Sequence, residues 1–212
     1  MDQTPNEAAH LIERLRAGDR RALGELFARY RDRLRRMVEL RMDPRLRARL
    51  DASDVLQEAY PELAGDLDAY RADPKLQPLL WMRLHVGRRL TTLHRQHLGT
   101  RMRDAGLEIS LYREALPEAS SAALASMLLG RHTSPTQAAQ RAERLLRVQE
   151  ALNTLDPIDR EVLALKHFEE LSRAETAEVL GISPEAAAKR YFRALKRLKE
   201  VLASMPGGWE GI

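Results

Sequence analysis

Nowhere along its 212 residues does this chain sustain the apolar–polar alternation of a half-buried strand, whereas signals that begin helices recur from end to end. Thr4-Pro5-Asn6-Glu7, Ser134-Pro135-Thr136-Gln137 and Ser172-Arg173-Ala174-Glu175 each match a capping box. In that motif a hydroxyl accepts from an orphan helix amide, and the acid or amide three residues on reaches back. Asp43-Pro44, Asp156-Pro157 and Ser183-Pro184 place a cap residue before a proline suited to the first helical position. Aromatic residues supply only 5% of the chain, which disfavours sheets. The reading is all-α.

Two helical blocks are expected, residues 5–100 and 134–203, joined by a linker over 101–133 and followed by a loose tail at 204–212. The linker shifts toward Ala, Ser and acids, and its SAALASMLL stretch could form a short helix. There are no cysteines, which excludes disulfides, thiolate catalysis and cysteine-held zinc. The opening MDQTPNEAAH lacks a basic start and an apolar run, so no signal peptide is expected. No apolar run is long enough to span a membrane, so no membrane insertion and a cytoplasmic location are expected. The net charge of +4 is unevenly spread, and local basic blocks suit a polyanionic partner.

The basic block nearest the end carries a motif. In SRAETAEVLGISPEAAAKRYFRALKRLKEVL a capped helix runs to about Leu180, and Gly181 supplies the left-handed position that ends it. Ser183 then caps a second helix. At 100° per residue, Ala187, Ala188, Tyr191, Ala194, Leu195, Leu198 and Leu202 share one side. Glu185, Lys189, Arg193, Lys196 and Arg197 share the other, with Ala186 and Arg190 at its border. Residues 183–202 hold six basic residues against two acids. This is the layout of a DNA-binding helix-turn-helix, with the second helix in the major groove. An ordinary helix hairpin with a solvated basic face would share the amphipathicity, but the Gly-Ile-Ser-Pro turn and the basic bias favour DNA.

A second basic helix is expected from Leu79 to Leu98. Leu79, Met82, Val86, Leu90 and Leu93 share a face that should pack into the core, and Trp81, His85, Arg88, Thr92 and Arg95 line the opposite one. A cationic face with rings suits single-stranded or distorted nucleic acid. Trp81 as a core anchor with solvated arginines fits the spacing equally well. His94 and His97 sit at i, i+3 but have no carboxylate at helical spacing, so no metal site is expected. The chain has no phosphate loop, nucleophile elbow or metalloprotease signature, so neither a cofactor nor an enzyme activity is expected.

Between the basic blocks lies an acidic one. From Asp51 to Asp73 there are seven acids and one basic residue. On a helix starting near Ala52, Asp51, Asp54, Glu58 and Glu62 fall within an arc of roughly 80°, opposite Ala52, Leu56, Ala59 and Leu63. Capping explains Asp51 and Asp54. It does not reach Gln57, Glu58 and Glu62, whose ridge would repel DNA and suits a basic protein surface.

Taken in order, these residues resemble an extracytoplasmic-function (ECF) sigma factor of bacterial RNA polymerase, from Leu11 to Leu202. DASDVLQEAY is similar to the D-x-x-D-V-x-Q-E segment of region 2.2, WMRLHVGRRLTTLHR to the region that melts and reads the −10 element, and LSRAETAEVLGISPEAAAKRYFRALKRL to the region 4 helix-turn-helix. The resemblance implies that Asp51, Asp54, Val55, Gln57 and Glu58 bind core RNA polymerase, on the clamp helices of its largest subunit. It assigns Trp81, His85, Arg88, Thr92 and Arg95 to −10 DNA, and Glu185, Ala186, Lys189, Arg190 and Arg193 to −35 DNA. It also implies a linker threaded through the polymerase channels, and an anti-sigma factor or other regulator as a further partner.

Three residues depart from the family's pattern. Arg88 stands where many relatives carry Asn, and Ala188 where many carry Lys. Pro61 falls where the docking helix usually continues, so a kink or break is expected near Tyr60. The reading is a non-enzymatic initiation factor that directs core polymerase to promoters. Two rivals remain at this point: a dimeric stand-alone helix-turn-helix regulator, and a helical adaptor whose basic faces are merely solvated.

Overall fold

The computed structural model describes residues 5–98, 116–130 and 138–204. Among these residues every regular element is a helix: α1 (Pro5–Arg16), α2 (Arg20–Arg41), α3 (Ala52–Ala72), α4 (Pro78–Leu98), α5 (Ser121–Leu128), α6 (Ala138–Asn153), α7 (Pro157–Leu163), a π-helical turn (Ala164–Phe168), α8 (Arg173–Leu180) and α9 (Pro184–Ser204). None of the described helices is long and apolar enough to cross a membrane. The capping boxes expected at Thr4 and Ser134, and the tail expected at 204–212 apart from Ser204, which ends α9, involve positions outside the described residues.

The chain divides into two compact units. Of the described residues, one takes 5–38, 42–98 and 116, and the other takes 39–41, 117–130 and 138–204. Residues 117–130 of the expected linker thus belong to the second unit. There Ser120 caps α5 through the Ala123 amide, and α5 buries Ala123, Leu124 and Ala125. The short helix expected in SAALASMLL is present.

In the first unit the core is built from Leu15, Leu23, Leu26, Leu34, Met37, Leu56, Leu63, Leu67, Met82 and Leu90, each 2% exposed or less. The apolar faces expected on α3 and α4 are buried throughout, including Ala52, Ala59, Leu79, Val86 and Leu93. Gly87 sits at a close approach. A Cβ there would lie 2.3 Å from Leu116 Cδ2, so a larger residue would displace the leucine.

Two sequence expectations are corrected here. The break expected near Tyr60 does not occur: α3 runs unbroken through Pro61, although the ring removes one backbone hydrogen bond and crowds the preceding turn. Asp43-Pro44 does not start a helix. Successive turns follow instead, with the Leu46 amide donating to the Asp43 carbonyl (2.9 Å) and the Arg49 amide to the Leu46 carbonyl (2.8 Å). The Asp43 carboxylate accepts from the Arg45 amide at 2.8 Å. A turn of this kind offers Asp a local alternative to helix propagation.

In the second unit Leu124, Val148, Leu152, Leu155, Leu163, Ala194, Leu198 and Leu202 form one core. α7 passes into the π-turn, where the Glu169 amide donates to the Ala164 carbonyl. Glu170 follows with φ 54°, a left-handed conformation unusual for a residue with a Cβ. This reversal brings Leu171 into the core at 2% exposure.

Candidate functional site

The helix-turn-helix of the second unit is built by its caps. Ser172 Oγ accepts from the Glu175 amide at 3.1 Å, and Glu175 Oε2 accepts from the Ser172 amide at 2.7 Å. α8 ends at Gly181 with φ 64° and ψ 33°. The Ile182 amide donates to the Ala177 carbonyl (3.1 Å) and the Gly181 amide to the Glu178 carbonyl (3.3 Å). These two bonds form a Schellman turn, which needs the left-handed residue that glycine tolerates best. Ser183 Oγ then accepts from the Ala186 amide at 3.2 Å and opens α9.

On α9, Ala187, Ala194, Leu198 and Leu202 are buried. Glu185, Lys189 and Arg193 are exposed, and Ala186 and Arg190 are half-buried. The five residues expected to face −35 DNA therefore lie together on the more exposed side of the helix. Sequence reasoning missed two residues beside this face. Phe192 is 66% exposed among Lys189 and Lys196, and its aromatic character disguised it beside the partly buried Tyr191. The other is Asp159, on α7. It accepts from Arg190 Nη1 at 3.1 Å and from Arg193 Nη2 at 3.2 Å. No local sequence signal joins residues 31 and 34 positions apart.

The acidic ridge of the first unit begins with a reciprocal cap. Asp51 Oδ1 accepts from the amides of Ser53 (2.6 Å) and Asp54 (3.0 Å), and Asp54 Oδ2 accepts from the Asp51 amide (2.7 Å). Val55 is wholly buried, so its part is to anchor the ridge rather than to offer surface. Gln57 is exposed. Glu58 is engaged within the unit: Arg89 of α4 donates to its Oε2 through Nη2 (2.6 Å) and Nε (2.9 Å), and reaches Glu62 at 3.4 Å. Asp66 lies 3.2 Å from His85 Nε2. Much of the charge beyond the first turn of α3 is thus answered by α4.

The face expected on α4 is split. Arg88, Thr92 and Arg95 are exposed, but Trp81 and His85 are buried at 4% and 8%. Trp81 stacks on Tyr70 with centroids 4.2 Å apart and meets the His85 ring edge-on at 5.3 Å. The expected use of these two rings as an open surface for bases is corrected by this packing. A wide aromatic side chain at the start of α4 gains more from the core than from solvent.

Burial pushes His85, His94 and His167 below the ordinary histidine value, outweighing Asp66 beside His85 and Asp43 beside His94. These rings bind fewer protons folded than unfolded, so stability falls as pH drops through about 6.5. Thermal melts at pH 7.5 and 5.5 should show a lower Tm in acid, with a shallower slope for a His85→Gln, His94→Gln double variant. Asp43 acts in a separate window. Arg45 holds it at about 2, so its contribution is present above about 4 and lost only on approach to pH 2.

A family model for sigma-70 region 4 matches residues 145–198, within the segment spanning α6 to α9. The ECF RNA polymerase sigma factor SigD of Mycobacterium tuberculosis is 31% identical over 190 residues, covering 89% of this chain and 80% of that protein. The RNA polymerase sigma-E factor of Streptomyces avermitilis is 30% identical over 155 residues, covering 73% of each. Among solved structures, CnrH in complex with the cytosolic domain of CnrY shares the fold, with a TM-score of 0.52 over 92% of this chain and 97% of that one at 23% identity. The chain therefore belongs to the ECF family of RNA polymerase sigma factors and acts in promoter-directed initiation of transcription.

Proposed function

We propose that the two units divide promoter recognition and polymerase binding between them. The first, within residues 5–100, docks through the start of α3 on the clamp helices of the largest polymerase subunit. It meets −10 DNA through the exposed side of α4 at Arg88, Thr92 and Arg95, with Trp81 and His85 supporting that helix from within. The second, within residues 134–203, meets −35 DNA through Glu185, Ala186, Lys189, Arg190 and Arg193. Two contacts on one duplex raise each other's effective concentration, so neither needs high affinity alone. Acting with the polymerase, the protein would work in the cytoplasm. The complex of CnrH with CnrY supports a protein regulator that binds this chain in a comparable way.

The observation that carries the docking reading is the exposed Gln57 beside a capped acidic turn on a face otherwise neutralised by Arg89. Gln57 is the direct probe, because Asp54 holds the cap and Glu58 holds Arg89. Gln57→Arg should reduce capture of core polymerase at least about tenfold, since a misplaced charge in an interface costs several kcal/mol. The helix should melt as before. Full capture by a folded Gln57→Arg protein would move the docking site elsewhere.

A further inference from the structure

We propose that Asp159 is a positioning residue for −35 recognition, fixing the guanidinium groups of Arg190 and Arg193 before DNA arrives. The inference rests on the assignment of α9 to the −35 element.

The Asp159 side chain is only 4% exposed, against 32% for Arg190 and 59% for Arg193. A carboxylate that deep gives up its hydration, so its hydrogen-bond partners must replace the lost water. Arg190 Nη1 and Arg193 Nη2 both donate to its Oδ1, at 3.1 and 3.2 Å, and Arg193 Nε approaches Oδ2 at 3.4 Å. These pairs differ from the chain's surface pairs, where both ends are free to exchange with water.

Asp159 stands third in α7, where an acid could simply serve the helix terminus. α7 shows no side-chain cap at Asp156, and the Asp159 carboxylate is spent across the unit on α9 instead. It engages the Nε/Nη2 edge of Arg193, which leaves the Nη1 donors of that arginine for a base edge or phosphate. An arginine held in one orientation loses less freedom on binding and presents its fork at a set angle. The same carboxylate also tempers the positive field of α9, which restrains attachment to DNA of any sequence. The first effect favours the specific site and the second disfavours every other, so both raise discrimination.

The test uses holoenzyme reconstituted from the full chain and core polymerase. Its substrates are a promoter duplex selected with the wild type and the same duplex with a scrambled −35 element. Binding is titrated over a salt series below the melting transition of every variant. Asp159→Asn should lower the ratio of specific to scrambled binding about tenfold, the scale of one misplaced bidentate contact. It should also steepen the salt dependence by about one ion. In an Arg190→Ala, Arg193→Ala background the same change should have no further effect on the ratio. Asp159→Glu should recover most of the loss.

Unchanged discrimination in Asp159→Asn overturns the proposal. So does an equal loss in the Asn and Glu variants, which would mark volume rather than charge, or a full Asp159→Asn effect without the two arginines. If the double arginine variant itself discriminates as well as the wild type, the assignment of α9 to the −35 element fails, and the proposal with it.

Discussion

Trp81→Ala should lower the stability of the first unit by about 3–5 kcal/mol, the usual cost of deleting a buried indole. The ring is 4% exposed, lies 15° from parallel with Tyr70, and contacts His85 edge-on. Tyr70 is itself fixed, since its hydroxyl donates to the Leu76 carbonyl at 2.8 Å. Removing Trp81 therefore opens a cavity among side chains that cannot collapse into it. With domain stabilities of about 5–15 kcal/mol, much of the unit's margin would go. The expected result in urea is an earlier transition for the first unit with the second unchanged, followed by hydrogen exchange. Trp81→Phe should recover most of the loss. If Trp81→Ala left the first transition in place and removed only −10 binding, the ring would be a platform for bases and not part of the core.

Pro61→Ala should act in the opposite direction and raise stability by about 2 kcal/mol. Proline inside a helix costs about 3 kcal/mol relative to alanine, and up to about 1 kcal/mol is returned because proline restricts the unfolded chain. The site is exposed, so no packing is lost with the ring. α3 tolerates the proline because Leu63, Leu67 and Tyr70 beyond it are all buried. Each large apolar side chain contributes about 1.5–3 kcal/mol on burial, and together they exceed the cost of the ring. A helix ending at Tyr60 would forfeit those contacts. Proline also has no amide to offer the Gln57 carbonyl, which stands on the face proposed to dock on polymerase. The variant should melt several degrees higher. A Tm equal to or below the wild type would mean that α3 is already relieved by a local bend.

The helix-turn-helix was legible because its determinants are local. Ser172, Glu175, Gly181 and Ser183 fall within a stretch of twelve residues, and each acts on backbone groups three or four positions away. Helical period likewise sorted the buried face of α9 from its basic face. The same period failed on α4. It placed Trp81 and His85 in line with Arg88, Thr92 and Arg95, but it could not say that α3 presents Tyr70 and Asp66 to the first two and solvent to the rest. Arg89 and Asp159 were missed for a related reason. Nothing in the acidic block reveals that Glu58 is matched by a residue 31 positions later, or that α9 is held by an acid on α7.

The sequence alone determined the helical class, the caps, the helix-turn-helix and the family, because these depend on short-range backbone chemistry and on side-chain types in a fixed order. Tertiary structure decided which members of each amphipathic face remain available. It placed Trp81 in the core, tied Glu58 to Arg89, carried α3 through Pro61 and set Asp159 behind the arginines of α9. A helical face records a direction, and only the neighbouring helix determines whether that direction leads to water, to a counter-charge or to the core.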